Sequence, residues 1–213
     1  MPNNESINPH TPACAMKTLG QIFERNRRWA RERVESDPDY FRRLAALQNP
    51  DYLWIGCADS RVPANVITDL RAGEVFVHRN VANIVDAADM NCMAVLQYAI
   101  EHLNVRHIMV VGHYGCGGVR AALNPPDNGL VDYWLEPVRR LARLHEGELA
   151  ALADAAAREN RLCELNVREQ VRNVSNCPII QRAWSRGEDI QVHGWIYGLD
   201  NGLLHDLGCG GPV

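Results

Sequence analysis

Four short apolar runs, separated by stretches of helical periodicity, constrain the fold of this chain most strongly. They are "YLWIGC", "EVFVHR", "HIMVVGH" and "DIQVHGWIYG". Apolar runs of this length with helices between them are typical of a parallel sheet that helices cover on both faces. The sequence therefore predicts an α/β fold with a central, mostly parallel β-sheet and flanking helices.

Two further segments have a helical pattern. Apolar residues from Met16 to Leu47 recur at helical spacing, and "SDPDY" predicts a break between two helices of an N-terminal arm. From Trp134 to Ser185 the pattern is again mainly helical, with Pro137 and Pro178 where helices are expected to begin. We expect this second segment to be a helical insertion in the α/β body.

The end of the chain carries a turn signal. "LDNGLLHDL" places an Asn-Gly pair between apolar residues, which predicts a two-residue hairpin turn and a short antiparallel edge strand near the C-terminus. We therefore expect a single domain over residues 1–213. Its expected parts are a tail and helical arm at 1–47, an α/β body at 48–207 with the helical insertion at 134–185, and a tail at 208–213.

Composition narrows the class of protein. The chain has 213 residues, of which 46% are hydrophobic and 23% charged, so it can bury one substantial core. No apolar run approaches the ~20 residues that span a bilayer. The opening "MPNNESINPH" lacks the apolar core of a secretory signal. We expect a cytoplasmic protein without a membrane partner.

Charge and cysteine content give two more expectations. The net charge of -4 supplies no electrostatic reason to bind nucleic acid. The basic stretch "RNRRWARER" could contact RNA, but its acidic neighbours favour a solvated helix face. Seven cysteines without a small-domain framework indicate reduced thiols or a metal site more than disulfides.

Metal-ligand residues follow two of the predicted strands. Cys57 ends "YLWIGC", His113 ends "HIMVVGH", and Cys116 follows on a glycine-rich turn before a predicted helix. Ligands gather at the carboxyl edge of open parallel sheets, so adjacent strands would bring these side chains together. Two thiolates and one imidazole suit zinc. Three ligands leave a fourth position open, which is typical of catalytic zinc.

Asp59 and Arg61 stand beside the first candidate ligand. Asp59 could reach the metal as a fourth ligand, or it could turn away and accept a proton from water. A bidentate pair with Arg61 would hold it away from the metal. The pair could also be only a surface salt bridge.

Each motif also has a simpler interpretation. Cys57 alone is more often a buried small hydrophobe, and only its placement with the other candidates favours a metal site. "GCGG" could bind an anion, but it lacks the Lys-Ser/Thr end of a phosphate loop. The other cysteines show no partner pattern and are interpreted as structural: Cys14, Cys92, Cys163, Cys177 and Cys209.

Together these motifs resemble the signature of one enzyme family. "CADSR" followed by "HYGC" is similar to the zinc-site motifs of the β-class carbonic anhydrases, and "FVHRNVAN", "GHYGCGGV" and "HGWIYG" resemble bacterial members. The similarity runs from about Thr18 to Leu207. It implies zinc on Cys57, His113 and Cys116, and reversible hydration of carbon dioxide to bicarbonate and a proton.

The resemblance also implies how the site works and assembles. It assigns Asp59 and Arg61 to orienting the nucleophile. It implies a homodimer in which the partner completes each cleft, with Gln48, Phe76 and Tyr98 at substrate-pocket positions. Many bacterial members pair two dimers, but "GCGGPV" ends where many relatives continue as a helix, which leaves the higher assembly open.

Three further residues match a regulatory pattern. Trp54, Arg79 and Tyr197 occupy positions that hold a bicarbonate ion away from the zinc in a subset of bacterial relatives. In those relatives the ion breaks the aspartate–arginine pair, and the aspartate becomes a fourth zinc ligand. The resemblance therefore implies a closed state here in which Asp59 binds the metal.

The sequence is also compatible with two other functions. The same scaffold could hydrolyse carbon disulfide or a related heterocumulene, because such relatives differ in how tunnels restrict access. The chain could instead be a structural or redox zinc protein without turnover. That function would require a fourth permanent Cys or His, which neither motif contains.

Overall fold

The computed structural model describes residues 19–126 and 129–211, and it divides after Leu47 into two compact units. The described part of the first unit contains α1 (Leu19–Ser36) and α2 (Tyr40–Ala46). The predicted break lies between them, where the Asp37 carboxylate accepts hydrogen bonds from the Arg43 guanidinium and the Asp39 amide. The helical arm is confirmed, and Met16 to Thr18 lie outside the described residues.

The second unit is built on one sheet. Its described strands are β1 (Tyr52–Cys57), β2 (Val75–Asn80), β3 (His107–His113), β4 (Gln191–Tyr197) and β5 (Leu204–Asp206). Their spatial order is β2-β1-β3-β4-β5, with the first four strands parallel and β5 antiparallel to β4. The predicted fold class is confirmed.

Helices occupy the segments between these strands. They are α3 (Ala64–Thr68), α4 (Met90–Glu101), α5 (Gly117–Leu123), α6 (Leu130–Trp134), α7 (Glu136–Leu144), α8 (Glu146–Ala150), α9 (Ala155–Asn176) and α10 (Pro178–Ser185). Pro137 lies in the first turn of α7 and Pro178 begins α10, as predicted. No helix in the described part of the chain is both long and apolar enough to cross a membrane.

The strand order explains why the two faces of the sheet differ. The chain leaves β1 toward β2 on one side, and then returns past β1 to β3 on the other. Right-handed crossovers therefore place α3 on one face and α4 on the opposite face. The α4 face, which α5 and α9 also cover, holds the larger core, with Leu53 and Ile108 fully buried. The α3 face holds a smaller core around Trp54 and Met109.

The hairpin between β4 and β5 differs from the prediction in its turn. The antiparallel strand is confirmed, but the Gly198 amide bonds to the Leu203 carbonyl at 2.9 Å, so four residues form the turn. Gly202 has φ +73°, and the Asn201 side chain accepts from the Leu203 amide at 2.9 Å. The Asn-Gly pair thus closes a longer loop through its side chain, and the predicted two-residue turn is wrong.

Gly56 in β1 gives a test of packing on the smaller core. A Cβ there would lie 2.2 Å from Nε1 of Trp54, whose side chain is fully buried. We predict that Gly56→Ala lowers the free energy of unfolding by about 1 to 3 kcal/mol through overpacking. The measurement is urea unfolding followed by circular dichroism.

Gly147→Ala is the matched control for Gly56→Ala. A Cβ at Gly147, in α8, meets nothing within 4 Å. Alanine should therefore leave stability unchanged or raise it by up to about 1 kcal/mol, because it favours the helix. Equal stability of the two variants would contradict the packing argument.

Candidate metal centre

Two adjacent strands deliver the predicted ligands to one place. Cys57 is the last residue of β1 and His113 the last residue of β3, while Cys116 precedes the first turn of α5. The two sulfur atoms lie 3.8 Å apart, and all three ligand atoms lie within 4.8 Å of one another. All three side chains are buried. The sequence prediction that they converge is confirmed.

The glycine-rich turn after β3 lets the chain bring Cys116 back to Cys57. Gly115 has φ +65°, a left-handed conformation that glycine adopts without strain. A Cβ at Gly118 would lie 2.9 Å from Val81 Cγ1. Glycine at both positions therefore allows the start of α5 to pack closely against the turn that follows β2.

The imidazole of His113 lacks a partner on the side that faces the thiols. Its Nδ1 bonds to the Tyr114 carbonyl at 2.9 Å, while its buried Nε2 has no hydrogen-bond partner. Leaving a buried ring nitrogen without a partner is energetically unfavourable. In zinc sites a histidine usually binds the metal through one ring nitrogen and hydrogen-bonds to a carbonyl or carboxylate through the other. The donor set of one nitrogen and two sulfurs therefore fits zinc, the cofactor of this site.

The two thiols are electrostatically coupled. The hydrogen bond from Cys116 lowers the pKa of Cys57, against an opposing effect of burial. The same hydrogen bond and burial raise the pKa of Cys116. A cation that binds both sulfurs favours their thiolate forms, so it competes with the protons that these thiols carry.

Asp59 lies beside the three-residue group but is turned toward Arg61. The Arg61 Nε and Nη2 atoms donate to the two carboxylate oxygens at 2.9 and 2.7 Å. This hydrogen bonding holds the pKa of Asp59 well below its usual range. The carboxylate Oδ2 lies 3.7 Å from Nε2 of His113. Of the two predicted states of Asp59, the structure has the one in which Arg61 holds it.

Three residues predicted for regulation lie around the smaller core. The Trp54 indole lies over Gly56, and its buried Nε1 has no hydrogen-bond partner. Arg79 pairs with Gly56 in the register of β1 and β2, and its Nε donates to the Cys57 carbonyl at 2.8 Å. Tyr197 pairs with His113 at the ends of β4 and β3.

Two of the three predicted substrate-pocket residues are in contact, and the third is exposed. The rings of Phe76 and Tyr98 have centroids 5.9 Å apart and are tilted by 37°, and Tyr98 is 45% exposed. Gln48 is an exposed residue at the start of the second unit. Their joint role in a pocket stays a prediction.

A second group of possible ligands was not anticipated. His78, Asp89 and Cys92 also place donor atoms within 4.8 Å of one another. However, Asp89 caps α4 by accepting from the Asn91 amide, and His78 Nε2 contacts the Asn80 amide nitrogen at 3.2 Å. Burial raises the pKa of the Cys92 thiol to about 12, so this group has structural contacts and a thiol that resists ionisation.

The sequence did not predict the left-handed backbone conformation in the turn after β2. Ala82 and Asn83 are buried and have φ +64° and +46°, although neither is glycine. Asn tolerates this conformation better than most residues, so the Asn in "NVAN" was the available signal. Nothing local predicts it for Ala82.

The comparisons with known proteins agree with this geometry. The carbonic anhydrase family profile matches residues 52–204. A carbonic anhydrase from Emericella nidulans is 50% identical over 196 residues, which cover 92% of this chain and 86% of that protein. The Coccomyxa β-carbonic anhydrase structure in complex with acetazolamide is 42% identical, with a TM-score of 0.86 over 89% of this chain and 86% of that one. The chain belongs to the β-class carbonic anhydrases.

Other members of the family refine the comparison. A tetrameric β-carbonic anhydrase of the ascomycete Sordaria macrospora superposes with a TM-score of 0.87 at 40% identity, covering 90% of this chain and 98% of that one. The motifs predicted that the chain is most similar to bacterial members of the family, and this prediction is not confirmed. The Emericella nidulans relative is fungal, whereas the Pseudomonas aeruginosa carbonic anhydrase is only 33% identical, over 84% of this chain and 83% of its own length.

The ligand geometry predicts that the purified β-carbonic anhydrase binds about one zinc per chain. Cys57→Ser, His113→Ala and Cys116→Ser should each lose most of this zinc, because each removes one of the three donors. Metal analysis after dialysis against a weak chelator measures the loss.

Cys92→Ala is the control, because it removes a donor from the second group only. It should keep about one zinc per chain. Zinc retained by a Cys57, His113 or Cys116 variant, or lost from Cys92→Ala, would contradict this assignment.

Proposed function

We propose that this β-class carbonic anhydrase hydrates carbon dioxide reversibly to bicarbonate and a proton, with zinc held by Cys57, His113 and Cys116. The observation that carries the proposal is the buried three-donor group beside a carboxylate that an arginine holds aside. Asp59 and Arg61 are the proposed catalytic pair.

In this proposal Asp59 and Arg61 have different roles. When bound, zinc supplies the Lewis acidity that brings the pKa of a water ligand to about 7. Asp59 stays ionised because of Arg61, so its Oδ2 can accept a hydrogen bond from the attacking water and orient it. Arg61 keeps the carboxylate from occupying the open ligand position. The substrate is small and nearly apolar, so an apolar pocket beside the reacting water suffices.

The two alternative functions, a structural or redox zinc protein and a carbon disulfide hydrolase, are less well supported. A structural zinc site would need a fourth permanent ligand, and the donor group found among the described residues contains three. Hydrolysis of carbon disulfide on this scaffold would depend on restricted access. The relatives reported above are called carbonic anhydrases, which favours carbon dioxide. Stopped-flow hydration of carbon dioxide by zinc-loaded protein, with carbon disulfide assayed in parallel, separates these functions.

Arg61→Ala tests the catalytic pair. We predict that it lowers the rate of carbon dioxide hydration by about 10- to 100-fold while zinc stays bound, because Asp59 loses the partner that holds it away from the metal. Stopped-flow hydration and metal analysis on the same sample measure both effects.

Arg186→Ala provides the comparison, because this exposed arginine also pairs with a carboxylate, that of Glu188 at 2.6 Å. It should retain the wild-type rate, since exposed ion pairs contribute little. Near wild-type turnover in Arg61→Ala would show that Arg61 is only a surface charge.

The assembly proposed is a homodimer, with pairing of two dimers into a tetramer as the further step. Support comes from the tetrameric Sordaria macrospora relatives and from exposed apolar side chains of the second unit, including Met90 at 75% and Tyr98 at 45%. A second copy that covers this surface would complete the pocket formed by Gln48, Phe76 and Tyr98. The cytoplasmic location stays a prediction.

The regulation proposed is a switch at Asp59. Bicarbonate would bind at Trp54, Arg79 and Tyr197, and Asp59 would then leave Arg61 and become a fourth metal ligand. Two observations support this: the Trp54 Nε1 atom is a buried donor without a partner, and the Asp59 carboxylate already lies 3.7 Å from a metal-ligand nitrogen. A ligand shifts such an equilibrium only by its preference for one state, so inhibition should saturate with bicarbonate.

The switch has a definite pH dependence. The pKa of Asp59 lies well below its usual range, so this carboxylate stays ionised from mildly acid to alkaline pH. The change must therefore come from the reacting water, because hydroxide competes better than water with Asp59 as pH rises. We predict low activity at mildly acid pH, a steep rise at alkaline pH, and inhibition by bicarbonate beyond product competition, measured by stopped-flow hydration.

Trp54→Phe and Tyr197→Phe are the diagnostic variants for the switch. Each removes a proposed donor to bicarbonate and should extend activity to lower pH. Crystals grown at acid pH with bicarbonate should show Asp59 on the metal. If they retain the Asp59–Arg61 pair instead, the switch is absent from this enzyme.

A further inference from the structure

Tyr114, the residue that follows the proposed ligand His113, is fixed to three separate parts of the second unit. Its amide donates to the Tyr197 carbonyl of β4 at 3.0 Å, and its hydroxyl donates to Glu164 Oε1 of α9 at 2.8 Å. Its ring is partly buried and packs against the larger core. A residue held by its main chain, its ring and its hydroxyl has little freedom to turn.

The main-chain carbonyl of Tyr114 is the hydrogen-bond partner of His113. Nδ1 of His113 lies 2.9 Å from this oxygen, and a carbonyl only accepts, so Nδ1 carries the proton of the neutral ring. The lone pair for a metal then lies on Nε2, the nitrogen that faces the thiols. The Tyr114 carbonyl thus sets both the tautomer and the direction of the imidazole.

The peptide that carries this oxygen is not fixed by the residue after it. Gly115 has φ +65°, a conformation that costs glycine nothing. Among the described residues, the one atom that a Cβ at Gly115 would meet within 4 Å is Leu199 Cδ1, at 3.9 Å. The direction of the Tyr114 carbonyl therefore depends on how Tyr114 itself is held.

Glu164 is well placed to hold the Tyr114 hydroxyl. Its second oxygen, Oε2, accepts from Arg161 Nη1 at 2.7 Å, so the arginine fixes the orientation of the carboxylate and leaves Oε1 toward Tyr114. The Glu164 side chain is 25% exposed. A hydrogen bond to a carboxylate in such a partly buried place is stronger than one between neutral groups.

We propose that Tyr114 is a positioning residue for the metal centre and that Glu164 is its anchor. The bond between hydroxyl and carboxylate holds Tyr114 so that its carbonyl orients the His113 ring. The proposal rests on the zinc ligand set given under "Proposed function". It goes beyond that set, because Glu164 is distant from His113 in sequence and is neither a proposed ligand nor a member of the Asp59–Arg61 pair.

Three variants separate positioning from simple support of the fold. Tyr114→Phe removes the hydroxyl and keeps the ring, and Glu164→Leu removes the acceptor. Arg168→Met is the matched control, because Arg168 lies one turn further along α9 and donates to the Leu207 carbonyl at 2.7 Å. Its loss removes a tertiary hydrogen bond of the same helix and leaves the bond between Tyr114 and Glu164 in place.

The experiment makes two measurements on the full-length protein. Zinc affinity is measured by competition with a chelator. NMR of zinc-loaded protein with isotope-labelled histidine gives the rate at which the Nδ1 proton of His113 exchanges with solvent, and His113→Ala identifies this signal by its absence.

Both measurements should respond to loss of the anchor. We expect Tyr114→Phe and Glu164→Leu to bind zinc about 3- to 10-fold more weakly, since the carbonyl stays but is held less firmly. The His113 proton should exchange about 10-fold faster in both, because the ring leaves the carbonyl more often. Arg168→Met should stay within about twofold of wild type in both measurements, even where it lowers the melting temperature.

Each outcome supports or overturns the proposal. Wild-type zinc affinity and exchange in Tyr114→Phe would overturn it, as would equal changes in Arg168→Met. Weaker zinc binding without faster exchange at His113 would also overturn it, because the effect would not pass through the carbonyl. If Glu164→Leu does not fold, Tyr114→Phe decides alone, since it removes one oxygen atom. Wild-type protein that binds no zinc, or is inactive, would contradict the proposed function instead.

Discussion

The parallel pairing of β1 with β3 is the constraint on which the site depends. It places the carboxyl ends of two buried strands side by side, and Cys57 and His113 are the last residues of those strands. The chain leaves β1 toward β2 and returns to β3 on the other side, so the crossovers diverge at this point and leave a crevice. The glycine-rich turn then brings Cys116 into the same crevice. Residues far apart in sequence thus become one ligand group without a long loop.

The burial and close spacing of its three donor atoms make this group well suited to a cation. His113 Nε2 is buried without a hydrogen-bond partner, and the sulfurs of Cys57 and Cys116 lie 3.8 Å apart. A metal that binds these atoms couples its own binding to the stability of the fold. Asp59 and Arg61 differ, because they satisfy each other. The site therefore combines three donor atoms that suit a cation with a carboxylate–guanidinium pair that is already hydrogen-bonded.

The parts of the fold that the sequence predicted are those set by local pattern. "YLWIGC" and "HIMVVGH" coincide with β1 and β3, because buried parallel strands are apolar at nearly every position. The Asn-Gly pair predicted the hairpin but the wrong turn length, since the loop is closed by a side-chain bond. Left-handed Ala82 could not be predicted, because alanine has no local preference for that conformation. Asn166 and Gln170 look like solvent-facing polar residues, and only the packing of α9 shows that they are buried.

Arg79 connects the proposed bicarbonate site to the catalytic pair. Its guanidinium donates to the carbonyls of Cys57 and Asp59, so it supports the loop that carries the carboxylate. A bicarbonate ion is a stronger partner for a guanidinium than a neutral carbonyl is. An anion that draws Arg79 away would remove two hydrogen bonds from that loop. In the proposed switch Asp59 moves toward the metal, and its Oδ2 already lies 3.7 Å from His113 Nε2. Binding of bicarbonate can therefore affect the Asp59 carboxylate through Arg79 and the loop that carries Asp59.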